Sequence, residues 1–155
     1  MKIEDQIKTK GFKDEWHKVI VNIFYTSNFF ERILEKRAAK AGLTLQQFNV
    51  LRILRGQYPE PLSNNIIRSR MVHNTSDISR LVDRMVKKDL IERAKKSTDK
   101  RSVDLLISEK GLQLLGQLED EMSLTNLLAP HISAQETQQL SDLMDKLRGD
   151  IEIDL

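Results

Sequence analysis

The sequence predicts a mainly α-helical fold with a small two-stranded β-wing: a winged helix-turn-helix flanked by long N- and C-terminal helices. Three observations predict it. Apolar residues recur at spacings of three and four through most of the chain, in runs that open on helix-capping residues. One stretch, Val103-Asp104-Leu105-Leu106-Ile107, alternates instead, behind a short strand-like run from Leu90 to Lys96. Charge is also segregated: residues 1–43 carry nine basic and six acidic residues (+3), residues 44–108 thirteen and seven (+6), residues 109–155 three and ten (−7). A basic centre suits a polyanionic partner, which the acidic end would repel.

Residues 13–41 read as one long helix. Trp16, Val19, Ile20, Ile23, Phe24, Phe30, Ile33, Leu34, Ala38 and Ala41 form its stripe, and Gly42 stops it. Thr44 caps the next helix with Gln47 completing a capping box, and Phe48, Leu51, Ile53 and Leu54 face inward until Gly56. Pro59 and Pro61 then forbid helix. Ser63 caps a short helix, NNIIRSR, and Met71-Val72-His73 makes a tight connection. Asn74 is expected to cap a longer helix, with Asp77 in its first turn and Ile78, Leu81, Val82, Met85 and Val86 buried. After the hairpin, Ser108 caps a long helix whose seam, Leu115, Leu118, Met122, Thr125 and Ala129, is expected to run to a stop at Pro130. Ser133 and Glu136 box the last helix, with Ile132 placed as a staple and Leu140, Leu143, Met144, Leu147 and Ile151 along it.

At 155 residues, 39% hydrophobic and 31% charged, the chain suits a soluble globular protein rather than a disordered one. It has no cysteine, which excludes disulfides, thiolate zinc sites and thiol redox sensing. The N-terminus lacks a signal-peptide core and no apolar run is long enough to cross a bilayer, so a cytoplasmic location without membrane contact is expected. No activated nucleophile, phosphate loop or flanking carboxylate pair suggests an enzyme, and no metal or other cofactor is expected.

The central pattern suits double-stranded DNA. In a helix-turn-helix the second helix lies in the major groove and reads base edges with its N-terminal residues. Those residues here are Asn74, Thr75, Ser76, Ser79 and Arg80, with Arg84 one turn on. Short hydroxyl and amide side chains allow close approach, and arginine makes bidentate contact with guanine. The wing, with Lys96, Thr98, Asp99, Lys100 and Arg101 at its tip, would lie along the duplex. There Arg101 can enter the negatively charged minor groove, while Asp99 orients a nearby arginine. Each residue also has a plainer reading: Arg80 and Arg84 as partners of Asp77 or Asp83, Asp99 as a turn former, the lysines as solvated charge.

The run from Asp77 to Gly111, DISRLVDRMVKKDLIERAKKSTDKRSVDLLISEKG, resembles the MarR family of bacterial transcriptional regulators. The matching pieces are Ser79-Arg80-Leu81-Val82-Asp83-Arg84, Leu90-Ile91-Glu92-Arg93, Asp99-Lys100-Arg101, and Leu106-Ile107-Ser108 before Glu109-Lys110-Gly111. The resemblance implies a homodimer whose first and last helices interlock, with two recognition helices on a pseudo-palindromic operator, and a repressor as the expected role. It assigns residues 1–43 and 109–155 to dimerisation and residues 44–108 to DNA, with Arg101 in the minor groove and Asp99 as a brace. It also implies release by a small, often phenolic, anion. Two positions depart from the family pattern: Asp89 stands where glycine usually ends the recognition helix, and Arg68 follows Ile67 where a small residue is usual.

His17, Phe24 and Tyr25, beside Trp16, Phe29 and Phe30, form a candidate effector pocket, although aromatic residues at helical spacing more often serve a core or dimer interface. The rival to DNA reading is a winged helix that contacts another protein; a polar, basic recognition face argues against it.

Overall fold

The computed structural model describes residues 1–72, 77–94 and 104–149. In chain order the elements are α1 (Ile3–Ile7), α2 (Glu15–Lys40), α3 (Leu45–Arg55), β1 (Leu62–Ser63), α4 (Asn64–Arg70), α5 (Ile78–Lys87), β2 (Ile91–Arg93), β3 (Asp104–Ile107), α6 (Glu109–Met122), α7 (Thr125–Leu128) and α8 (Ala134–Arg148). They fall into two compact units, Met1–Met122 and Ser123–Leu155.

In the first unit, α2 ends in a Schellman motif. Gly42, at φ +70°, donates its N–H to the Ala39 carbonyl, and the Leu43 N–H reaches back to Ala38. Thr44 and Gln47 then make the reciprocal capping box that opens α3. Phe48, Val50, Leu51 and Leu54 of α3 pack with Ile67 of α4, Ile78, Leu81, Val82 and Met85 of α5, Leu105 and Ile107 of β3, and Leu115, Leu118 and Met122 of α6. One closed core therefore fixes α5 through its inner face and leaves its outer face to solvent.

The sheet has three antiparallel strands in the order β1-β3-β2, rather than the expected two. Leu62 opposes Leu105, and Ile91 opposes Ile107. A two-residue strand that follows Pro61 and ends on the cap Ser63 is too short to show alternation, so it leaves no periodic signal. The short α1 is likewise unexpected. It is pinned by buried Ile3, by a Glu4–Lys18 ion pair of 2.7 Å and by a hydrogen bond from the Tyr25 hydroxyl to Gln6. Lys18 holds the Glu4 carboxyl below its usual range, and Glu4 in turn raises the Lys18 ammonium.

The helix after Ser108 stops at Met122 and does not run on to Pro130. The Ser123 hydroxyl accepts from the Thr125 N–H at 3.3 Å, a local bond that diverts the backbone into the separate turn of α7. In the second unit, Ser133 and Glu136 form the expected capping box of α8. The Ser133 hydrogen bonds hold the Glu136 carboxyl below its usual range. No α8 side chain is buried: Leu140, Leu143, Met144 and Leu147 are all exposed. Expected Ile151 lies outside the described residues.

Candidate nucleic-acid interface

The helix that carries the expected reading residues Ser79, Arg80 and Arg84 is α5. It opens at Ile78 with Asp77 as its cap, not Asn74: the Asp77 Oδ1 accepts the Arg80 N–H at 3.1 Å. Asp and Asn cap about equally well, so two candidate caps three residues apart cannot be ranked from the sequence. Ile78, Leu81, Val82 and Met85 are buried, while Ser79, Arg80, Asp83, Arg84 and Lys87 are exposed on the opposite face.

That outer face is internally organised. The Arg80 Nε lies 3.0 Å from the Asp77 Oδ2. The Arg84 Nε donates to the Arg80 carbonyl at 3.2 Å. Asp83 accepts from the Arg93 guanidinium at 2.6 Å, which neutralises an acid on the face and ties β2 to α5. Nothing in the sequence pattern marks Arg93 as a site residue; its partner is evident only with β2 laid beside α5. With Asp83 paired, Arg80, Arg84 and Lys87 make the outer face basic.

The far end of α5 is locked just as firmly. Asp89 takes the left-handed position of a second Schellman motif at φ +58°, the place where the family pattern has glycine. Its N–H bonds to Val86, and the Leu90 N–H reaches Met85. The Ser108 hydroxyl donates to the Asp89 carbonyl at 2.6 Å and accepts from the Gly111 N–H at 3.0 Å, joining this cap to the start of α6. Lys110 donates to the Lys88 carbonyl, and Lys88 to the Gly42 carbonyl at the end of α2. Gly111 has no substitute here, because a Cβ would lie 2.3 Å from the Leu90 carbonyl oxygen. Cationic side chains at a helix C-terminus also complement its dipole.

Of the residues expected to touch DNA, Ser79, Arg80 and Arg84 share this outer face. Asn74, Thr75 and Ser76, and the wing residues Lys96, Thr98, Asp99, Lys100 and Arg101, lie outside the described residues. Arg68 is exposed on α4 beside fully buried Ile67, so its bulk is accommodated in solvent.

Of the expected effector group, Tyr25 borders a cavity that His17 and Phe24 do not line. His17 packs edge-on against Phe12 at 5.5 Å, and Phe24 is 71% exposed. Tyr25 instead lines a cavity of about 240 Å³ with Ile3, Gln6, Asn22 and Phe29. Positions 17 and 24 lie two turns apart on one side of the helix, and position 25 is a step of about 100° around it. A second cavity, of about 260 Å³, was not expected: Asn49, Arg52 and Ile53 of α3 meet Arg70 and Val72 there. Arg52 lies over the Phe48 ring at 5.9 Å, and Arg70 bonds to Gln57. The two arginines stand 18 positions apart, so only the packing of α3 against the end of α4 brings them together. Among the described residues no helix is long and apolar enough to cross a membrane.

Comparison with known proteins bears on this geometry. Residues 43–103 match the family model described as the MarR family. No curated protein sequence matches. Among solved structures, a MarR transcription factor from Planctomyces limnophilus is 29% identical, with a TM-score of 0.65 over 87% of this chain and 98% of its own. A mutant MarR from E. coli, complexed with operator DNA, is 20% identical, with a TM-score of 0.75 over 89% and 99%. The organohalide-sensing RdhR regulator in its 2,4-dichlorophenol-bound form is 25% identical, with a TM-score of 0.73 over 90% and 85%.

Proposed function

We propose that the chain is a transcriptional regulator of the MarR family, whose model its residues 43–103 match, and that it acts as a homodimeric, sequence-specific DNA-binding repressor. The observation that carries the proposal is α5: its apolar face is buried in the core, and its outer face presents Ser79, Arg80, Arg84 and Lys87. In this reading residues 44–108 are the DNA-binding domain, and residues 1–43 and 109–155 hold two copies together. Two copies of α5 enter successive major grooves about 34 Å apart, and the Arg101 wings hold the flanking minor grooves. Neutralising phosphates with Lys and Arg releases counterions, so affinity falls steeply with salt.

The effector class this reading assigns is a small anion with an apolar or aromatic body. The cavity at Arg52 and Arg70 supports it better than the His17 group, because two guanidinium-bearing side chains line the same space as Ile53 and Val72. An occupant that favours one spacing of the two heads by a few kcal/mol releases DNA.

The test is selection of duplexes from a random library by the purified chain. The expected product is an inverted repeat with half-sites about one helical turn apart. Weak, salt-sensitive binding to every duplex with no enrichment overturns the proposal in favour of a protein-contacting winged helix.

A further inference from the structure

We propose that Asp77 is a positioning residue that presents the Arg80 guanidinium to DNA while it caps the reading helix. The proposal rests on the reading of α5 as a DNA-reading helix. One carboxylate uses its two oxygens for two tasks. Oδ1 takes the Arg80 backbone N–H at 3.1 Å, which closes the cap. Oδ2 lies 3.0 Å from the Nε of the same residue. The Arg80 side chain is otherwise 81% exposed, so without this contact little would restrict its rotamers. Arginine has among the most rotamer freedom to lose on binding.

Holding the side chain by Nε leaves the rest of the guanidinium for a bidentate contact with a guanine edge or a phosphate. The surroundings favour this division of labour. Asp83, the other acid on the outer face of α5, is taken by Arg93 at 2.6 Å and does not draw Arg80 away. Arg84 is held in the same manner, its Nε on the Arg80 carbonyl. Asp77 thus spends negative charge close to a polyanion and gains a guanidinium that arrives already oriented.

The two effects oppose each other, and that makes the proposal testable. Asp77→Asn retains a capping oxygen but loses the charge that holds Arg80. Preference for a duplex enriched by the wild-type chain, over the same duplex with its half-site bases replaced, is expected to fall about three- to tenfold, the scale of one side chain released from a fixed rotamer. Affinity for an arbitrary duplex is expected to hold or rise, because a negative charge has left the interface. Asp77→Ser, which also caps, should behave alike. In an Arg80→Ala background Asp77→Asn should leave the preference unchanged. The proposal is overturned if cognate and altered duplexes weaken by the same factor, as a damaged helix would give, or if the preference falls equally without Arg80. If the wild-type chain enriches no duplex at all, DNA reading itself fails and this role falls with it.

Discussion

Helices α5 and α8 carry the same apolar spacing and end in different surroundings. In α5, Ile78, Leu81, Val82 and Met85 are 0–5% exposed. In α8, Leu140, Leu143, Met144 and Leu147, at the same i, i+3, i+4, i+7 spacing, are 37–63% exposed. Both helices are well capped, so local propensity does not separate them. What separates them is a second layer: α4 and β2 pack against α5, whose stripe joins the core cluster, and no α8 side chain is buried. The long α2 shows both conditions along one helix, with Ala38 fully buried near its end and Trp16 and Phe24 exposed near its start. Apolar spacing states that a face must be covered; whether the same chain covers it is decided by tertiary packing. The buried stripe builds the core behind α5, and the open stripes are where we seat the second copy.

The largest effect that could break this contrast is on assembly. Leu143→Asp combined with Leu147→Asp should abolish the proposed dimer at micromolar concentration while the far-ultraviolet helical signature persists; sedimentation velocity reads the first and circular dichroism the second. Next comes a matched pair of truncations. Met85→Ala should cost about 2–5 kcal/mol of unfolding free energy at every protein concentration. Met144→Ala should destabilise only to the extent that it weakens association, so its effect should depend on concentration. Urea titrations at two protein concentrations separate the two.

A smaller effect compares two helix ends within the first unit. Gly42 and Asp89 occupy the same left-handed position in Schellman motifs, at φ +70° and +58°. Asp89→Gly should therefore stabilise the chain by up to about 1 kcal/mol in a thermal melt. The smallest effect lies at the start of α8. The Ser133 hydroxyl and N–H hold the Glu136 carboxyl below its usual range. Because the folded value is the lower one, this contribution is present above the ordinary carboxylate range and is lost as pH falls through the lowered value. Helical circular dichroism of Glu136→Gln should lack that component of the acid transition.

Most of the helices were legible because they announce themselves locally. Thr44 with Gln47, Ser63, and Ser133 with Glu136 each cap the helix that the sequence assigned to them. The stripe of α5 was legible for the same reason. Its start was not, since Asn74 and Asp77 are both good caps and only backbone geometry selects Asp77. The break after Met122 was hidden because Thr125 and Ala129 continue the heptad spacing, while the bond from Thr125 to Ser123 that diverts the chain leaves no periodic trace. Associations distant in sequence, the ion pair of Asp83 with Arg93 and the cavity shared by Arg52 and Arg70, had no signal at all. Of the expected effector group Tyr25 lines the cavity beside α1 and His17 and Phe24 do not, since Tyr25 lies about 100° around α2 from Phe24.

The most direct test of the central claim is the sedimentation equilibrium of the chain alone and with a duplex it has selected. A dimer in solution and two chains on each inverted repeat are the expected result. A monomer that binds as one chain per duplex, with the α8 stripe still exposed, would contradict it.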